Sequence, residues 1–117
     1  MGQNFIRNIF YYKNYYLDFY KSQTEDVKKK FNWTLELIAT IDHVPKKYFD
    51  HMTGTDGLYE IRVEVGSNIF RAFSFFDKGH LIVIANAFQK KTQKTPKNEL
   101  DLAKKIKKEY FNEKSKK

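Results

Sequence analysis

The chain contains no cysteine. That excludes a disulfide framework, a thiolate metal site and a cysteine nucleophile, and it fits a reducing cytoplasm. It also lacks any apolar run long enough to span a bilayer. The N-terminal stretch MGQNFIRNIFYYK is aromatic and broken by Arg7, Asn8 and Lys13, unlike the continuous aliphatic region of a signal peptide. A cytoplasmic protein with no membrane partner is expected. There is no Walker loop, GxGxxG, HExxH or nucleophile elbow. His43, His51 and His80 have neither a second histidine nor a carboxylate at ligand spacing, so the sequence predicts no metal and no cofactor. With no repeat, low-complexity block or separating linker, residues 1–117 should form one domain.

What the chain does have is aromatic weight and unevenly placed charge. Aromatics make up 17% of it, with eleven Phe and eight Tyr, enough to build a core although 31% of residues are charged. The net charge is +8, but residues 1–88 hold 11 Lys and Arg against 10 acids, whereas residues 89–117 hold 11 Lys against 4 acids. Such asymmetry suits a polyanionic partner, either nucleic acid or an acidic protein; a solvated lysine-rich helix is the plainer alternative.

Periodicity divides the chain into elements. FIRNIFYY, about residues 5–12, reads as a strand, followed by a helix over about 14–22 with Asn14 as its cap. Val27, Phe31, Leu35, Ile38 and Ile41 recur at three or four and predict an amphipathic helix over 25–41, capped by Ser22 or Thr24. Pro45 with Tyr48, Phe49 and Met52 predicts a short helix over 45–52. From Leu58 the period becomes two: strands are expected over 58–65, 69–76 and 80–90, joined by turns at Gly66–Asn68 and Asp77–Gly79. A last helix over 96–112 should follow, with Thr95 as cap, Pro96 at its first position and 113–117 as a frayed tail. The order predicts an α+β fold: an antiparallel-rich sheet with helices on one face and the other face open.

Two arginines interrupt the strands. A turn near Gly66–Asn68 pairs residues summing to about 134, which sets Arg62 near Ala72 and one diagonal step from Arg71, with their common direction undecided. If both point the same way, they converge near Lys90 and Lys91 and suit a phosphodiester, since a guanidinium grips two phosphate oxygens at once. The plainer alternative is a surface network with Glu60 and Glu64. The aromatic run YYKNYYLDFY can stack bases, but its helical spacing fits core packing.

The stretch GLYEIRVEVGSNIFRAFSFFDKGHLIVIANAFQKKTQKTPKNE, positions 57–99, resembles the phage-derived branch of the RelE/HigB toxin family, in its LYEIR strand, glycine turn, IFR strand, central apolar strand and closing FxKKTQKTP. A weaker likeness extends over YYKNYYLDFY and ELIATIDHVPKKYFDHMTGTDGLYE. The resemblance implies a RelE-like fold and the toxin of a type II toxin–antitoxin pair, a metal-independent, ribosome-dependent endoribonuclease that cuts messenger RNA and inhibits translation. It implies catalytic roles for Arg62 and Arg71, with acid and base work falling to Lys90 or Lys91. Lys94, Thr92, Thr95 and Lys97 would contact RNA. Its implied partners are a helix-turn-helix antitoxin, the ribosome and mRNA, and operator DNA for the toxin–antitoxin complex. The chain departs from RelE-like toxins at Glu60, where they often carry lysine, and in its last tyrosine, Tyr110, near the far end. Two alternatives stay open: a ParE-like gyrase poison, and a degenerate module that only binds an antitoxin and regulates its own promoter.

Overall fold

The structure is a computed structural model that describes residues 5–116. Residues 1–4 and 117, included in the expected domain and tail, lie outside the described residues. The elements are β1 (Asn8–Tyr11), α1 (Tyr15–Lys21), α2 (Glu25–Thr40), β2 (Phe49–His51), β3 (Leu58–Val65), β4 (Asn68–Asp77), β5 (Leu81–Lys90) and α3 (Lys97–Ser115). They form the expected α+β fold around one five-stranded sheet of order β1-β5-β4-β3-β2. Strands β2 to β5 run antiparallel to their neighbours, and β1 adds to β5 in parallel.

Local chemistry sets most boundaries. The Thr24 hydroxyl accepts from the Val27 N–H at 3.4 Å and caps α2, while Ser22 closes α1. β1 is shorter than the expected 5–12 because the N–H groups of Ile6 and Arg7 donate to the Ala39 carbonyl. The Arg7 guanidinium then donates to the carbonyls of Ile38, Ile41 and Asp42, each at 2.8 Å, satisfying the end of α2. Gly66, at φ 62°, and Ser67 form a two-residue hairpin that pairs Val65 with Asn68.

Three expectations are corrected. Residues 45–52 are not helical: a turn bonds the Tyr48 and Phe49 N–H groups to the Pro45 carbonyl, and Phe49–His51 then pairs with Tyr59–Ile61 as β2. The free edge of β3 offers hydrogen bonds that so short a helix cannot match. The last helix runs past the expected 112 to Ser115, with contacts from Tyr110, Glu113 and Lys114 along its C-terminal part. Nor is the second face of the sheet wholly open. α1 and α2 cover Ile61, Val63, Phe70, Ala72, Ile82 and Ile84, and α3 lays Ala103 and Ile106 against Leu58, Phe73, Phe75, Val83 and Ala85. β5 is apolar on both faces because both are covered. All of the run's aromatics but the exposed Tyr11 belong to these cores: Tyr12 and Tyr16 are buried, and Tyr16 packs on Phe31 with ring centroids 5.8 Å apart.

Candidate nucleic-acid interface

Alternation along β3 sends Tyr59, Ile61, Val63 and Val65 toward α1 and α2, and Leu58, Glu60, Arg62 and Glu64 toward the α3 side. α3 covers that side over Leu58, Phe73, Phe75, Val83 and Ala85; the hairpin end, with Arg62, Glu64, Ile69 and Arg71, lies outside its apolar cluster. Because the hairpin loop has two residues, the register sum is 133 rather than 134, and Arg62 lies directly opposite Arg71 instead of Ala72. Directly opposed residues share a face, so the two guanidinium groups do point the same way.

Two like charges at adjacent positions need an anion between them, and Glu60 supplies it. Glu60 is 5% exposed. Oε1 lies 3.0 Å from Arg62 Nη2, and Oε2 lies 3.9 Å from Arg71 Nε and accepts from the Thr95 hydroxyl at 3.5 Å. Arg62 also reaches Asp50 at 3.7 Å, and an Arg71 Nη donates to the Phe70 carbonyl at 3.0 Å. Arg71 Nε is buried with no hydrogen-bond partner. Burial lowers the Arg71 pKa; Glu60 opposes the lowering and Arg62 adds to it. A buried arginine stays protonated, so Arg71 retains an incompletely met demand for an anion.

The cations divide between two hollows that share Arg71. One, about 680 Å³, is lined by Asn68, Arg71, Lys90, Lys91 and Thr92 among others. The second, about 380 Å³, is lined by Lys30, Lys47, Tyr48, Arg62, Glu64 and Arg71. Arg62 and Lys90 or Lys91 therefore do not meet in one concavity; Arg71 joins the two. Lys90, Lys91 and Lys94 have no carboxylate within ion-pair distance among the described residues.

Several candidates are already engaged. The Thr92 hydroxyl donates to the Lys94 carbonyl at 2.9 Å, and Lys97 pairs with Asp101 at 2.8 Å. Thr95 does not cap α3: the position falls to Pro96 without a side-chain bond, and the Thr95 hydroxyl turns to Glu60. Tyr110 lies away from the arginines, donating to Asp77 at 2.6 Å. Lys30, Lys47 and Tyr48 carry no strong signal in the sequence, since 47 and 48 fall within the segment expected to be helical. Glu60 is legible as an arginine partner, but its burial is not.

This arrangement, a half-covered sheet with two opposed arginines flanked by lysines, is one that can hold a phosphodiester. The model of the family described as "Phage derived protein Gp49-like (DUF891)" matches residues 18–108, and the chain belongs to that family. The family is RelE-like and toxin-like in general, and such toxins are paired with an antitoxin. No curated protein matches the chain. Among the described residues no helix is long and apolar enough to cross a membrane.

Proposed function

We propose that the protein is the toxin of a type II toxin–antitoxin pair and acts in the cytoplasm as a ribosome-dependent mRNA endoribonuclease of the RelE/HigB kind. The observation that carries this reading is the direct pairing of Arg62 with Arg71 on the uncovered end of the sheet. An RNA 2′-hydroxyl attacks the neighbouring phosphorus, the bond to the 5′ oxygen breaks, and a 2′,3′-cyclic phosphate and a 5′-hydroxyl result. Arg62 and Arg71 meet the negative charge that builds on the phosphoryl oxygens, with no metal ion called for. Lys90 or Lys91, from the adjoining hollow, serves the proton transfers. Lys94 follows the backbone, while Thr92, Thr95 and Lys97 flank it, and Glu60 fixes the spacing of the two guanidinium groups. A helix-turn-helix antitoxin covers this cationic surface, and the complex binds its operator DNA.

Expression without an antitoxin, followed by mapping of transcript ends, tests the reading. Growth arrest with new internal 5′ ends supports it; unaffected growth and intact messengers at verified expression end it. Glu60 favours one second reading, a module that has lost cleavage and only binds an antitoxin, because a resident carboxylate already occupies the arginines. Antitoxin binding that is unchanged by Arg71→Ala, in a chain that leaves growth and transcripts intact, would point that way. DNA breakage with intact transcripts would indicate a gyrase poison instead.

A further inference from the structure

The smaller hollow has a composition that phosphate binding alone does not explain. Beside Arg62, Arg71, Lys30 and Lys47 it holds an aromatic ring, Tyr48, and a carboxylate, Glu64. Glu64 is exposed and has no ion-pair partner within 4.0 Å among the described residues. An acid in that position repels a phosphate, whereas the larger hollow across Arg71 offers Lys90 and Lys91 without one.

Tyr48 is also held as a platform would be. The Trp33 ring meets it edge to face with centroids 5.4 Å apart, and Lys47 Nζ stands 4.9 Å from its centroid. The Tyr48 carbonyl accepts from the Arg62 N–H at 2.8 Å, which fixes its backbone to β3 beside the arginine pair. A volume of about 380 Å³ suits one nucleotide unit rather than a duplex.

We propose that this hollow is a nucleobase subsite that selects guanine: Tyr48 stacks the base, Glu64 reads its edge, and the paired Arg62 and Arg71 hold the phosphate on the side where the two hollows join. Stacking on an aromatic ring is tolerant of sequence, so discrimination falls to Glu64. A carboxylate only accepts hydrogen bonds. Guanine alone presents two adjacent donors, N1–H and the N2 amino group, to a two-oxygen acceptor; adenine and cytosine offer one amino group, and uracil flanks its single N–H with two acceptors that repel the carboxylate. The subsite presupposes the RNA-cleaving reading for its biological use, but its chemistry can be measured separately.

The test is an NMR titration of the ¹⁵N-labelled full chain with GMP and with UMP. GMP should bind about tenfold more tightly than UMP, with shifts centred on Tyr48, Arg62 and Glu64. Tyr48→Leu, which keeps an apolar contact for Trp33, should weaken both nucleotides by about tenfold. Glu64→Gln, on the exposed end of β3 and checked for folding by its amide spectrum, should bring UMP binding up toward that of GMP. Equal affinities in the parent, or a guanine preference that survives Glu64→Gln, would overturn the proposal. The two readings fail separately. Guanine selectivity with intact cellular transcripts upholds the subsite and ends the nuclease reading, while cleavage whose base preference ignores Glu64→Gln upholds the nuclease and ends the subsite.

Discussion

Arg71 carries a buried and incompletely paired charge at the interface. Burial disfavours its charge, Glu60 relieves part of that cost, and Nε remains unpaired. Replacing it with alanine should cut RNA cleavage by about 10²–10³-fold, as loss of a transition-state charge partner does, with transcript-end mapping as the readout. Arg62→Lys should also lose most cleavage by the same readout, because a point charge cannot grip two oxygens in one plane. Glu60→Gln is the complementary experiment. Removing the carboxylate leaves two guanidinium groups facing each other, so the thermal midpoint should fall by an amount equivalent to about 1–3 kcal/mol. Inorganic phosphate should then raise the variant's midpoint more than the parent's, by mass action at the vacated position; equal responses would show that no anion site exists there. This scale was only half legible in the sequence. Strand parity sets Glu60, Arg62 and Glu64 on one face, but the Arg62–Arg71 register turned on one residue of loop length, and Tyr48 lay hidden in a segment whose spacing imitated a helix.

At the scale of elements, α3 decides how much of the sheet stays available. Its N-terminal half buries Ala103 and Ile106, and its C-terminal half is held by polar clasps. Asp77, 4% exposed, receives Tyr110 and Lys114, each at 2.6 Å, and the Tyr12 hydroxyl, with one proton to share, lies 3.0 Å from the Glu109 carboxylate and 2.6 Å from that of Glu113. The hydrogen bonds from Lys114 and Tyr110 hold the Asp77 carboxyl below its ordinary value of 3.8, while burial and its bond to Asp77 push the Tyr110 hydroxyl up to about 12. A depressed carboxyl stabilises the fold above its ordinary value and loses that contribution as pH falls through the folded value. The clasp should therefore persist at neutral pH and fail only in acid, below about pH 4. Asp77→Asn should lower stability at pH 7 and flatten the acid limb of the stability curve, read by thermal melts from pH 7 to pH 2. An unchanged acid limb would remove Asp77 from the account. Ile106→Ala should cost about 2–5 kcal/mol by opening a cavity under the same helix. Helix and strand boundaries were largely readable because caps and periods are local. β2 was not, since three residues became a strand only because the edge of β3 was vacant, and neither was the docking of α3, since its apolar stripe does not say which face of the sheet it meets.

For the whole molecule, the charge asymmetry acquires a place. Among the described residues, Lys90 and Lys91 lie beside Arg71, Lys114 is held by Asp77, and Lys104, Lys107 and Lys108 of α3 line a separate hollow with Asp56. The composition therefore signalled a polyanionic partner without showing that only part of this charge adjoins the arginines. The family assignment to residues 18–108 supplies the toxin-like class, and the opposed arginines supply its proposed chemistry. The most direct measurement compares transcript 5′ ends in cells expressing the parent chain or the folded double variant Arg62→Ala, Arg71→Ala, each without an antitoxin. New internal ends and arrested growth with the parent, both absent with the double variant, are the predicted result. Intact transcripts with the parent, or undiminished cleavage by the double variant, would contradict the claim that this arginine pair holds the scissile phosphate.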